Sequence, residues 1–270
     1  MSHASCKNSR SGFSLIEVLV VIGLIALLIG ILLPAVERVR HRAYIADCAS
    51  NLRQIGQYLS QYANDHRGQL PRTVYVPGAP VQRGTNAAAA DPFKPGGPLA
   101  NDVTAAVFLL LRTERCPPAV LDCPYNDVHV FDPEPADPLV RSNFTDIKKH
   151  LGYSIANPYP DPAASAGGYK WVGRLTAEFA LAADINPGNL KPYDDVLTPT
   201  ASSPWSVMKK ANSENHERDG QNVLYGDGHV TWNKTPFCGM NGDNIYTTRD
   251  GQVEASPVDR TDSVLLPTDD

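Results

Sequence analysis

The chain carries no long basic stripe and no excess of positive charge. Its 24 Lys and Arg stand against 29 Asp and Glu, a formal charge of −5 over 270 residues. The electrostatic footprint of a nucleic-acid-binding protein is therefore missing, and no nucleic-acid partner is expected. Also missing are the compact motifs of common chemistries: there is no Cys-x-x-Cys pair, His-Glu-x-x-His zinc motif, Walker loop, Gly-x-Ser-x-Gly elbow or dinucleotide fingerprint. Catalysis has no local foothold, and the chain is not expected to be an enzyme. No internal repeat is visible. Pro and Gly, 23 and 20 residues, stay below the roughly 25–30% of low-complexity chains, so most of the sequence should fold. The length suits one domain with appendages, or two small domains.

What is present is very unevenly distributed. Val18 to Val36 is an uncharged, predominantly apolar run, long enough for a membrane-spanning helix. A short leader with Lys7 and Arg10 precedes it, which also describes a secretory signal peptide. Against that reading, the run exceeds a signal h-region of roughly 7–15 residues, no small-x-small cleavage site follows, and the pattern continues into a long helix. No Cys closes the run, which disfavours a lipoprotein. Arg38, Arg40 and Arg42 follow the span, so the positive-inside count alone leaves orientation open. The telling residue is Glu17, just inside the apolar stretch. A lone acid at the membrane centre costs about 2.5–3.5 kcal/mol on insertion scales, so such residues are by default functional.

Arg10-Ser11-Gly12-Phe13-Ser14-Leu15-Ile16-Glu17 resembles the processing motif of type IV prepilins and type II secretion pseudopilins. The resemblance implies cleavage after Gly12 by a prepilin peptidase, methylation of the new amine on Phe13, and a pairing of Glu17 with a neighbouring subunit's N-terminus during assembly. It also implies a leader inside the cell and a globular part outside a bacterial inner membrane. Partners would be other pseudopilin subunits and components of a secretion machine.

Beyond Pro34, where a lost backbone donor should kink or loosen the helix, Ile45, Cys48, Leu52, Ile55, Leu59 and Tyr62 recur at helical spacing. They form one apolar stripe, either a coiled-coil seam or, the preferred reading, a face laid on the chain's own sheet. Gly68 and Pro71 read as the stop. Residues 76–102 read as a long surface loop and Thr104 to Arg112 as a short buried helix. Strand-like pieces follow at 152–155, 175–182, 222–225 and 229–232. Polar, Pro and acidic residues from about Ser256 onward read as a frayed tail. The expected organisation is a leader at 1–12, a helix at 13–68, an exported globular domain at 69–255 and a disordered tail at 256–270. The fold class is α+β: a long N-terminal helix, membrane-spanning in its first half, packed on a small antiparallel sheet with irregular loops.

The clearest hairpin centres on Asp227-Gly228, residues suited to a two-residue type I′ turn. With His216 upstream, this stretch resembles a C-terminal signature of pseudopilin-like proteins, His followed by nine residues and Asp-Gly, although ten residues intervene here. Cys123-Pro124, the segment 183–188 and the segment 243–246 resemble further pieces of that family. His216, Asp227 and His229 are competent ligands, but hairpin geometry already accounts for Asp-Gly, and a structural turn is the preferred reading. The segments 184–187 and 241–244 offer hard oxygens of the kind calcium takes, against ordinary Asx turns; otherwise no metal or cofactor is expected. Of five Cys, Cys6 lies in the leader and Cys48 reads as a small buried hydrophobe. In an oxidising compartment Cys116 and Cys123 form a candidate disulfide, with Cys238 as competing partner. The functional reading is a structural pilus or pseudopilus subunit linked to protein secretion. The rival is a membrane-anchored exported domain that binds or hydrolyses a ligand near His216 and Asp227.

Overall fold

The computed structural model describes residues 15–125, 137–188 and 199–268. The chain divides into two compact units, Met1–Ala43 and Tyr44–Asp270. Helix α1, Leu15–Asp65, runs through Pro34 without interruption. Within the first unit its side chains from Leu15 to Val39 are exposed, including nearly every Leu, Ile and Val. It is the one helix among the described residues long and apolar enough to cross a membrane.

In the second unit α1 changes character. Cys48, Leu52, Ile55, Leu59 and Tyr62 are buried, as the apolar spacing requires, and Gly56 shares their face. The helix stops where glycine permits a left-handed turn. Gly68 adopts φ 81° and donates to the Ala63 carbonyl at 2.7 Å, closing the last turn. Helix α2, Val103–Thr113, is buried along nearly its whole length. Its N-cap is Asp102, whose side chain accepts from the Ala105 amide.

Among the described residues the sheet has five antiparallel strands in the order β4-β3-β2-β1-β5. These are β1 Tyr153–Ala156, β2 Ala180–Asp184, β3 Gln221–Tyr225, β4 Val230–Asn233 and β5 Leu265–Leu266. Every residue of β1, β2 and β3 is buried, so both faces of the central strands are covered. Ile155, Ala182 and Leu224 are register partners across the three strands, and Leu224 lies against Gly56 of α1. Alternation along a strand then puts Asp184 on this same, helix-facing side of the sheet. The architecture is the expected α+β one, a long apolar helix packed on a small antiparallel sheet.

Two expectations are corrected. Within the expected tail, residues 256–268 are not frayed: Val264, Leu265 and Leu266 are buried, and β5 pairs with β1 at the sheet edge. Three consecutive apolar residues supply enough burial to outweigh the Pro and acidic residues around them. The β3-β4 turn is also not the two-residue type I′ form. Gly228 donates to the Tyr225 carbonyl at 2.8 Å and Tyr225 to the His229 carbonyl at 2.9 Å, with φ positive at Gly228 and not at Asp227. This is a three-residue loop closed by a left-handed glycine.

Candidate functional site

Two regions bear on function. The first is the start of the chain. Gly12 and Phe13 lie outside the described residues, and Glu17 stands exposed in the first turn of α1. An acid there complements the positive end of the helix dipole, and the fully apolar residues that follow make it the single carboxylate of the segment up to Glu37.

The second region lies inside the globular unit. Cys48 projects from the buried stripe of α1 and Asp184 from the last position of β2. Cys123 arrives from a loop fixed by Asn51, whose amide donates to the Asp122 carbonyl at 2.9 Å and to the Tyr153 hydroxyl at 3.2 Å. The same loop accepts a 2.7 Å hydrogen bond from the Gly152 amide to the Leu121 carbonyl. Gly152 is required there, because a Cβ would lie 2.7 Å from the Cys123 nitrogen. His216 comes from the turn Asn215–Arg218 and is wholly buried, between the rings of Tyr125 at 5.1 Å and Trp232 at 5.5 Å. Its backbone, with those of Glu217 and Arg218, is left-handed, at φ 62°, 59° and 60°. For L-residues this costs roughly 1–2 kcal/mol each, strain that is held by the surrounding structure and aims the imidazole inward.

These four side chains converge. One potential ligand atom from each of Cys48, Cys123, Asp184 and His216 lies within 4.8 Å of all the others. His216 Nε2 is 3.4 Å from Asp184 Oδ2. Asn222 donates to that same Oδ2 from its backbone at 2.7 Å and from its side chain at 3.3 Å, and its side chain also reaches the Ile45 carbonyl of α1 at 3.1 Å. Mutual contact separates the acidities of the group. The neighbouring Cys123 thiol draws Cys48 down to about 7 against the opposing effect of burial. Burial pushes Cys123 well above the usual thiol range, reinforced by Cys48 and Asp184. Burial also disfavours charge on His216, but Asp184 and Cys48 outweigh it and raise the imidazole to about 9. The group can hold a proton, a metal ion or a sulfur–sulfur bond; with all four residues at most 1% exposed, it does not present itself to a substrate.

The structure rearranges the residues singled out from sequence. The expected bridge between Cys116 and Cys123 is not formed: both are free and buried, and Cys123 lies instead beside Cys48, brought there by the Asn51 clamp. Cys238 is free as well. His216 does not join Asp227 and His229, because Asp227 sits exposed on the β3-β4 turn, paired with His229 through their side chains, while His216 is interior. The 184–187 segment is tied to Tyr246, two residues beyond the 241–244 segment: the Asn186 side chain donates to the Tyr246 carbonyl at 3.0 Å, and the Tyr246 hydroxyl donates to the Asp184 carbonyl at 2.8 Å. Asp184 faces His216, whereas Asp243 accepts from the Ser263 amide at 3.1 Å. Sequence reasoning missed the four-residue cluster because its members lie tens of residues apart, with no local spacing rule to join them.

A family model described as a prokaryotic N-terminal methylation motif matches residues 7–33. No curated protein and no solved structure matches the chain. The match covers the leader and the first part of α1 and supports a type IV pilin-like precursor, a class of structural subunit with a single apolar N-terminal helix.

Proposed function

We propose that the chain is a pseudopilin-type structural subunit, cut after Gly12 by prepilin peptidase, methylated on Phe13, and stacked with other subunits into a pilus or pseudopilus linked to protein secretion. The observation that carries this reading is the methylation-motif match over residues 7–33, continued by an exposed apolar helix whose first turn holds Glu17. The globular unit would be exported across the bacterial inner membrane and the helix kept within it until assembly.

The chemistry of Glu17 explains why such a helix would assemble. Cleavage creates an amine on Phe13 that stays cationic when methylated. Four residues of ideal helix separate the two charges by about 6 Å along the axis, so each is best satisfied by the opposite charge of a neighbouring subunit. Removing one partner of such a desolvated pair costs on the order of 3–5 kcal/mol, because the other charge is stranded. Repeated at each added subunit, that energy sets both affinity and axial register.

The test is co-assembly of tagged Glu17→Ala or Glu17→Gln subunits with native ones at equal expression, read by crosslinking or by recovery in sheared filaments. Both variants should be inserted and cleaved yet excluded from filaments, and Glu17→Asp should retain partial incorporation. Equal incorporation of Glu17→Ala would remove the assembly role and favour an exported domain that only borrows the anchor. A hydrolytic centre built from His216 and Asp227 gains no support, since one is interior and the other on the surface.

A further inference from the structure

Most of the surface between α1 and the sheet is apolar, and the group formed by Cys48, Cys123, Asp184 and His216 interrupts it with four side chains that could each have been an ordinary hydrophobe. Asp184 is 0% exposed, and its Oδ1 has no hydrogen-bond partner, because both Asn222 donors go to Oδ2. Burying a carboxylate oxygen without a donor is costly unless something else compensates it. We propose that Cys48, Cys123, Asp184 and His216 bind one divalent ion of the zinc class as a closed, tetrahedral structural site.

The donor set identifies the ion. Two sulfurs and an imidazole are soft to borderline ligands that select zinc and its neighbours and are foreign to calcium or magnesium, which take oxygen. The spacing agrees. A tetrahedral zinc with bonds of about 2.0–2.3 Å holds its ligand atoms roughly 3.3–3.8 Å apart. The observed His216 Nε2–Asp184 Oδ2 separation of 3.4 Å falls in that range, and the whole set, within 4.8 Å, closes to it by shifts of up to about 1 Å on binding. Four protein ligands and near-zero exposure leave no open position, which is the arrangement of a structural site and not a catalytic one. On binding, each thiol gives its proton to solvent and becomes a thiolate, and the imidazole coordinates in its neutral form. The outer contacts are of the kind that orient ligands: Asn222 on Asp184, and Asn51 on the loop that carries Cys123.

Such an ion would join α1, the Cys123 loop, β2 and the left-handed turn at His216, four segments distant in sequence, at one point. It would fix how the globular unit is fastened to the second half of α1, and the strain at residues 216–218 is what delivers the fourth ligand. The proposal does not depend on processing or filament assembly.

The experiment uses the full-length chain, purified in detergent without chelator. Elemental analysis should return about one zinc per chain. Exchange with cobalt(II) should give the visible bands of a tetrahedral site together with a thiolate-to-cobalt charge-transfer band. Cys48→Ser, Cys123→Ser and Asp184→Asn should each lower metal affinity by at least about tenfold, whereas Cys238→Ala, outside the group, should leave it unchanged. A native chain that takes up neither zinc nor cobalt would overturn the proposal, as would a Cys48–Cys123 linked peptide from freshly isolated protein. If the cysteine variants fail to accumulate, the cobalt spectrum of the native chain decides by itself.

Discussion

Gly56 sits where α1 meets the sheet, and alanine there should reverse its effect on stability according to what occupies position 224. A Cβ on residue 56 would stand 3.1 and 3.3 Å from the two methyl carbons of Leu224, closer than the about 3.5–4.0 Å at which carbon pairs rest. Leu224 cannot retreat freely, since it is wholly buried and its strand is paired on both sides, with Ala182 and Val230 as register partners. Replacing a helical glycine by alanine gains about 1 kcal/mol of propensity. Overpacking a full core costs about 1–3 kcal/mol. Gly56→Ala should therefore be destabilising by up to about 2 kcal/mol in the native background. Leu224→Ala alone should cost about 2–5 kcal/mol, with the larger values reflecting the cavity it leaves. In that second background the obstacle is gone, so Gly56→Ala keeps its propensity gain and becomes stabilising by about 1 kcal/mol. The coupling between the two sites is then about 1–3 kcal/mol, well beyond the few tenths by which independent sites depart from additivity. Urea unfolding of the full chain in detergent, followed by the fluorescence of Trp171, Trp205 and Trp232 in the globular unit, measures all four corners of the cycle. Additive energies would show that helix and strand do not touch at this pair.

Asp102 accepts from the Ala105 and Thr85 amides, the Thr85 and Thr104 hydroxyls and the Asn143 side chain, so Asp102→Ala removes a cap and strands several buried donors. It should cost about 3 kcal/mol or more in the same unfolding assay; a loss below 1 kcal/mol would mean that solvent replaces these bonds. Burial, aided by the neighbouring Asp262, raises Asp243 to about 7, and burial raises Asp262 to about 6. A carboxyl raised above its unfolded value of about 3.9 binds its proton more tightly when folded, so its contribution is complete below pH 4 and is lost as pH climbs to about 7. The stability of Asp243→Asn relative to native should accordingly improve across that window and level off above it. A pH-independent difference would refute the assignment. At the other end of the chain, Gly12→Val should leave unprocessed precursor in the membrane. Intact mass and N-terminal sequencing read the outcome directly, and normally shortened protein would contradict cleavage at Gly12.

Some of this molecule is fully written in local sequence. The apolar run from Val18 to Val36, Glu17 ahead of it, the stripe from Cys48 to Tyr62 and the stop at Gly68 depend only on helical periodicity, membrane thickness and the backbone freedom of glycine. All of these act over a few residues, which is why the long helix and the processing motif are readable without a structure. The β3-β4 hairpin was half legible: Asp227-Gly228 announced a turn, but the choice between two and three loop residues depends on which carbonyl Gly228 and Tyr225 can reach once the strands are paired. The edge strand at Leu265 was illegible for a similar reason, since two residues become a strand only because β1 offers them an open edge.

The cluster beneath α1 belongs wholly to the tertiary structure. Cys48 has the spacing of a core residue, Asp184 looks like a turn former, Cys123 has a nearer cysteine in Cys116, and His216 pairs in sequence with Asp227-Gly228, which the structure leaves on the surface. What unites them is the packing of Gly56 on Leu224, which sets the height of α1 over the sheet, and the Asn51 and Asn222 hydrogen bonds, which anchor a loop and a strand end to the helix on either side of Cys48. Local sequence fixes periodicity and conformational preference; the meeting of residues 48, 123, 184 and 216 requires the chain to have closed on itself, and only burial and long-range hydrogen bonding decide that.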